Sequence, residues 1–130
     1  MAYVLLVDDE PESITIASRY LASKGHRTAV LPDGREAIAR LREEAPDVLV
    51  IDTMMPFADG YMVIQELQQL YSRDHVSVIV LTRIAADGEP LRDWSMSAVD
   101  SYVLAHRDTQ ALAWQVVLTV EQLLHQSGRR

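Results

Sequence analysis

Short apolar runs recur along this chain at residues 3–7, 28–31, 47–51, 76–81 and 99–104, separated by longer segments with apolar positions three and four apart. Runs of that length closed by turn formers predict buried strands, and the periodic stretches predict amphipathic helices. Pro11 and Gly25 bracket the first helix, which carries Ile14, Ala17 and Leu21 on one face. Asp33 is the expected N-cap of a second helix bearing Ala37, Ile38 and Leu41, which stops before Pro46. A third runs from about Gly60 to Ser72 with Val63, Ile64, Leu67 and Leu70 inward. A fourth is expected around 88–97, where Gly88 and Pro90 crowd its start. The last, capped by Asp108 or Thr109, extends to about His125. Strands alternating with helices specify an α/β fold: a parallel sheet covered on both faces and doubly wound, with five strands and five helices.

Composition narrows the function classes. The 130 residues fit one domain, expected over 1–126, with 127–130 a frayed tail or the remnant of a junction. A net charge of −7 without any basic run disfavours nucleic acid as a partner. The absence of cysteine removes disulfides, thiol nucleophiles and thiolate metal sites. A strand beginning by residue 3 leaves no room for a signal peptide. No apolar run approaches the roughly 20 residues that span a bilayer, so the expected location is the cytoplasm, with no membrane partner. Of the 12 basic residues only Lys24 is a lysine.

The candidate chemistry sits at strand ends. Asp8 and Asp9 follow the first strand and Asp52 follows the third. Any one of them alone is a turn former or helix cap as readily as a ligand. Three at matching ends is a different matter, because ligands of open α/β sheets sit outside the carboxyl ends of the strands. Crowded carboxylates raise one another's pKa unless a cation intervenes, and Mg²⁺ suits a site of few carboxylates with open water positions. Pro56 and Asp59-Gly60 shape the turn after Asp52 that re-enters a helix, with Gly60 able to take positive φ. That loop leaves the Met54 backbone carbonyl available as a further ligand. Thr82 ends the fourth strand, where its hydroxyl could bond an anion or merely reflect β propensity. Tyr102, on the last strand, faces inward or outward on this pattern, as half-buried tyrosines do.

These residues in this order resemble the receiver domain of two-component response regulators. The resemblance rests on Asp8-Asp9, Asp52, Met55-Pro56, Asp59-Gly60, Thr82 and the Asp100-Ser101-Tyr102 stretch, across essentially the whole chain. It implies a flavodoxin-like (βα)5 sandwich that signals rather than catalyses, with Asp52 the phosphoacceptor. Asp9, Asp52 and the Met54 carbonyl would coordinate Mg²⁺, with Asp8 acting mainly through water. Thr82 would bond the phosphoryl group, and Tyr102 would turn inward when Thr82 moves. A histidine kinase or phosphotransfer protein would be the donor. A carboxylate nucleophile forming an acyl phosphate is sound chemistry, since it divides a difficult transfer into two steps.

One position departs from the family. Where the family has a lysine followed by a cis proline, this chain has Ala105-His106. Losing that ammonium removes a charge-assisted contact worth about 1.5–3 kcal/mol, or roughly 10- to 150-fold in stability of the phosphoform or transition state. A trans Ala105-His106 bond is expected, because a cis bond without proline costs about 2.5–4 kcal/mol. Arg83 and Arg107 are candidate substitute cations.

The last helix carries too many apolar residues for one stripe. Leu112, Val116, Val120 and Leu123 form an expected inward face, and Trp114, Val117 and Leu118 a second one, which Trp94 would join. The resemblance implies that the fourth helix, fifth strand and fifth helix make the partner or dimer face. The alternative is packing against a neighbouring loop. Competing functions are a degenerate receiver that signals without phosphate, an aspartate-nucleophile phosphohydrolase and a flavin-binding domain. Met54 stands where the hydrolase would place its acid–base aspartate, and Asp8-Asp9-Glu10 would repel a flavin phosphate.

Overall fold

Successive side chains of a strand point to opposite faces, so the strands here must be apolar on both faces to be covered twice. Tyr3–Val7 (β1) and Val48–Asp52 (β3) are buried along their whole length. In the computed structural model, which describes residues 1–52, 60–71, 76–82, 99–104 and 108–126, they form the centre of a five-stranded sheet. Arg27–Leu31 (β2), Ser77–Thr82 (β4) and Ser101–Leu104 (β5) complete it in the order β2-β1-β3-β4-β5, every pair parallel. The helices are Glu12–Ser23 (α1), Gly34–Glu43 (α2), Gly60–Leu70 (α3) and Thr109–Gln126 (α4).

The alternation sorts the core into two layers. Val4, Leu6, Val48, Val50 and Ile79 face α1 and α4. Leu5, Val7, Leu49, Ile51 and Val80 face α2 and α3. Burying each such side chain stabilises the fold by about 1.5–3 kcal/mol. Helix ends follow local chemistry: Asp33 Oδ1 accepts from Glu36 N–H at 2.9 Å, and Asp108 Oδ1 accepts from Gln110 and Ala111 N–H. After α1, Gly25 takes φ 94°, which spares a side chain the left-handed region.

Several expectations change. Val117 belongs to the core, 2% exposed, and not to an outer face. The reason is that α4 packs against α1 as well as the sheet, which widens its buried stripe to include Ala113, Val117 and Leu124. Leu123 is only partly buried in consequence. Leu70 is 39% exposed rather than inward, at the end of α3. Gly60 is a helical residue and does not use positive φ. Tyr102, left open between two directions, points outward and is 46% exposed, while Val103 projects to the opposite face and is buried. The helix expected at 88–97 with Trp94, the 53–59 loop with Met54, and Arg83, Ala105, His106, Arg107 and the 127–130 tail lie outside the described residues.

Candidate metal and phosphoacceptor site

The chain runs from β1 outward to β2, then returns to place β3 on the other side of β1. That reversal opens a crevice beyond the carboxyl ends of β1 and β3. Val7 is in register with Ile51, so the next residues, Asp8 and Asp52, enter the crevice together. Asp8 and Asp52 are buried and Asp9 is exposed. One carboxylate oxygen from each of the three lies within 4.8 Å of the others.

Electrostatics follow from that crowding. The Asp8 carboxyl is pushed up from 3.8 to about 8. Burial is the main cause, joined by the charge of Asp52, a hydrogen bond to Asp52 and the charge of Asp9. Glu10 N–H, donating to Asp8 Oδ1 at 3.0 Å, pulls the other way. The Asp8 backbone is fixed by its own N–H, which donates to the Leu31 carbonyl. A buried carboxyl that holds a proton near neutrality beside two carboxylates is a site short of positive charge. An all-oxygen donor set of this size fits a hard divalent cation such as Mg²⁺.

Of the other sequence candidates, the backbone of Thr82 ends β4 one residue past Leu81, the register partner of Asp52. Tyr102 pairs with Val80 on the edge strand β5. Lys24 is at the C-cap of α1, its Nζ 5.4 Å from the centre of the Tyr20 ring. The 12-residue α1 is about 18 Å long, and it starts beside the acidic crevice, so this ammonium is at the wrong end. Asp47, unremarked in the sequence, and Asp100 tie the opposite rim: Tyr3 N–H donates to Asp47 and Val78 N–H to Asp100.

Sequence reasoning missed a contact made by Gly60. A Cβ at that position would lie 2.5 Å from the Asp52 carbonyl oxygen and 3.3 Å from Ile51 Cγ1. Only the Asp59-Gly60 pair hinted at it, as turn chemistry.

A doubly wound parallel sheet with paired acids after β1 and a third acid ending β3 defines the class of this domain. Residues 4–112 match the family model described as the response regulator receiver domain. The chain belongs to that family and is a receiver of two-component signal transduction. It is 24% identical to response regulator PleD of Caulobacter vibrioides, over 99% of this chain and 30% of PleD. It is 35% identical to the probable transcriptional regulator ycf27 of Guillardia theta, over 78% of this chain and 38% of that protein. The chain thus spans about a third of the length of these relatives. Among solved structures it resembles response regulator TrrA of Thermotoga maritima in complex with Mg(2+)-BeF, with a TM-score of 0.67 and 27% identity. That likeness covers 89% of this chain and 96% of TrrA. No helix among the described residues is long and apolar enough to cross a membrane.

Proposed function

We propose that this receiver takes a phosphoryl group on Asp52 in an Mg²⁺-dependent reaction and passes the change to a protein partner. The observation that carries the reading is the convergence of Asp8, Asp9 and Asp52 oxygens at the switch point of the sheet. Asp9, Asp52 and the Met54 carbonyl would hold the ion, and Asp8 would support it through water. Bound there, Mg²⁺ offsets charge on the phosphoryl oxygens. A carboxylate oxygen of Asp52 attacks phosphorus, the new P–O bond forms, and the P–N bond of a phosphohistidine donor breaks with its electron pair left on the imidazole. Thr82 bonds the transferred group, and Tyr102 moves inward from its exposed position in response. The Mg(2+)-BeF complex of TrrA supports this assignment by similarity.

The donor is a histidine kinase or phosphotransfer protein in the cytoplasm. The domain turns over no outside substrate, and at most phosphorylates and dephosphorylates itself. Its output face includes Trp114 and Leu118 on α4, respectively 49% and 62% exposed, and Trp94, which lies outside the described residues. A specific observation favours a second reading. Ala105 replaces the lysine, and Lys24 stands at the far end of α1, so a phosphate-independent interaction module is the alternative.

Incubation with Mg²⁺ and a small acyl phosphate, followed by a phosphate-retarding gel, separates the two. Phosphoryl acceptance predicts a retarded band in the wild type that Asp52→Asn abolishes. No retarded band under generous conditions favours the degenerate module.

A further inference from the structure

The contact between Gly60 and Asp52 reaches beyond packing. A non-bonded carbon and oxygen need more than 3 Å, whereas a Cβ on residue 60 would stand 2.5 Å from the Asp52 carbonyl oxygen. The obstacle is backbone, not the end of a flexible side chain that could swing aside. Either α3 must retreat from the sheet or the Asp52 peptide must turn. Retreat is resisted by Val63, Ile64 and Leu67, which anchor α3 in the core layer it shares with α2 and Ile51. The Asp52 peptide is the softer element, since Asp52 ends its strand. Turning it shifts the attached carboxylate relative to Asp8 and Asp9.

We infer that Gly60 is a positioning residue for the acidic cluster, and that its missing side chain sets the cluster's preference for Mg²⁺ over larger divalent ions. The inference rests on the metal-dependent reading above. Mg²⁺ demands near-ideal octahedral geometry at 2.0–2.1 Å, while Ca²⁺ accepts oxygens over 2.3–2.6 Å in flexible arrangements. A shift of a few tenths of an ångström at Asp52 therefore penalises Mg²⁺ more than Ca²⁺. Loss of fold stability alone would weaken both ions alike. Gly25 provides the control, because it also needs glycine, through φ 94°, yet a Cβ there meets nothing within 4 Å and it lies at the far end of α1.

The test is calorimetric titration of the full chain with Mg²⁺ and with Ca²⁺, in wild type, Gly60→Ala and Gly25→Ala, after circular dichroism has established folding. Gly60→Ala is expected to lose about tenfold in Mg²⁺ affinity, the scale of outer-shell changes, and to lose distinctly less for Ca²⁺. Gly25→Ala is expected to melt earlier with both affinities unchanged. Equal losses for the two ions, or none, overturn the inference while leaving the phosphoacceptor reading intact. A Gly60→Ala chain that does not fold also overturns it, since the glycine would then serve the fold. Failure of the wild type to bind Mg²⁺ removes both readings together.

Discussion

Asp8 and Asp52 stand at one level of the sheet edge because Val7 and Ile51, the residues before them, are register partners in adjacent parallel strands. This places two buried carboxyls face to face, with the exposed Asp9 completing a cluster whose oxygens lie within 4.8 Å of one another. The site's chemistry follows from that forced proximity.

The first consequence is a pH dependence. Asp8 is raised from 3.8 to about 8, so the folded, metal-free protein binds its proton more tightly than the unfolded chain does. That contribution to stability is complete below the unfolded value and is lost as pH rises through about 8. The metal-free melting midpoint is expected to fall as pH rises from about 4 to about 8, and Asp8→Asn to flatten that slope. Because Mg²⁺ must displace the Asp8 proton, its stabilising effect grows over the same interval. Melts with and without Mg²⁺ in both proteins check this, and an equal slope in Asp8→Asn speaks against it.

Ala105→Lys restores the cation that the family carries. If the missing ammonium limits the phosphoform, the substitution raises its yield or lifetime by at least about tenfold, following from a charge-assisted bond of about 1.5–3 kcal/mol. Decay of the gel-retarded band over time measures it. An unchanged lifetime refutes the proposed role of the gap.

Trp114 serves two purposes. Its ring meets Tyr20 of α1 edge to face, with centroids 4.9 Å apart and planes at 64°. A double-mutant cycle with Tyr20→Leu and Trp114→Leu is expected to show a coupling of about 0.5–1.5 kcal/mol in denaturant unfolding. The outer half of Trp114 continues into the exposed Leu118, one turn further along α4. For a self-associating chain, Trp114→Glu lowers the apparent mass in sedimentation; a monomeric wild type rules homodimerisation out.

How far the sequence revealed all this depends on the physical signal at each position. Asp8, Asp9 and Asp52 were legible because each follows an apolar run that can only be a buried strand, and parallel strands bring their ends together. Asp33 and Asp108 were legible as caps because capping is local. Val117 was not, since α4 is apolar nearly all round and periodicity alone cannot tell which neighbours it meets; the packing of α1 against it decided the matter. Tyr102 was undetermined because a strand side chain has two directions, and burial of Val103 selected the outward one. Gly60 read as turn chemistry because a close approach between α3 and the Asp52 carbonyl is a tertiary fact with no sequence signal of its own.

Borohydride reduces an acyl phosphate to an alcohol, so trapping the phosphorylated chain and sequencing its peptides by mass spectrometry locates the acceptor directly. The account predicts conversion of Asp52 alone to homoserine, dependent on Mg²⁺ and abolished by a chelator. Reduction mapped to Asp8, Asp9 or any other carboxylate, or labelling that persists without the metal, would contradict it.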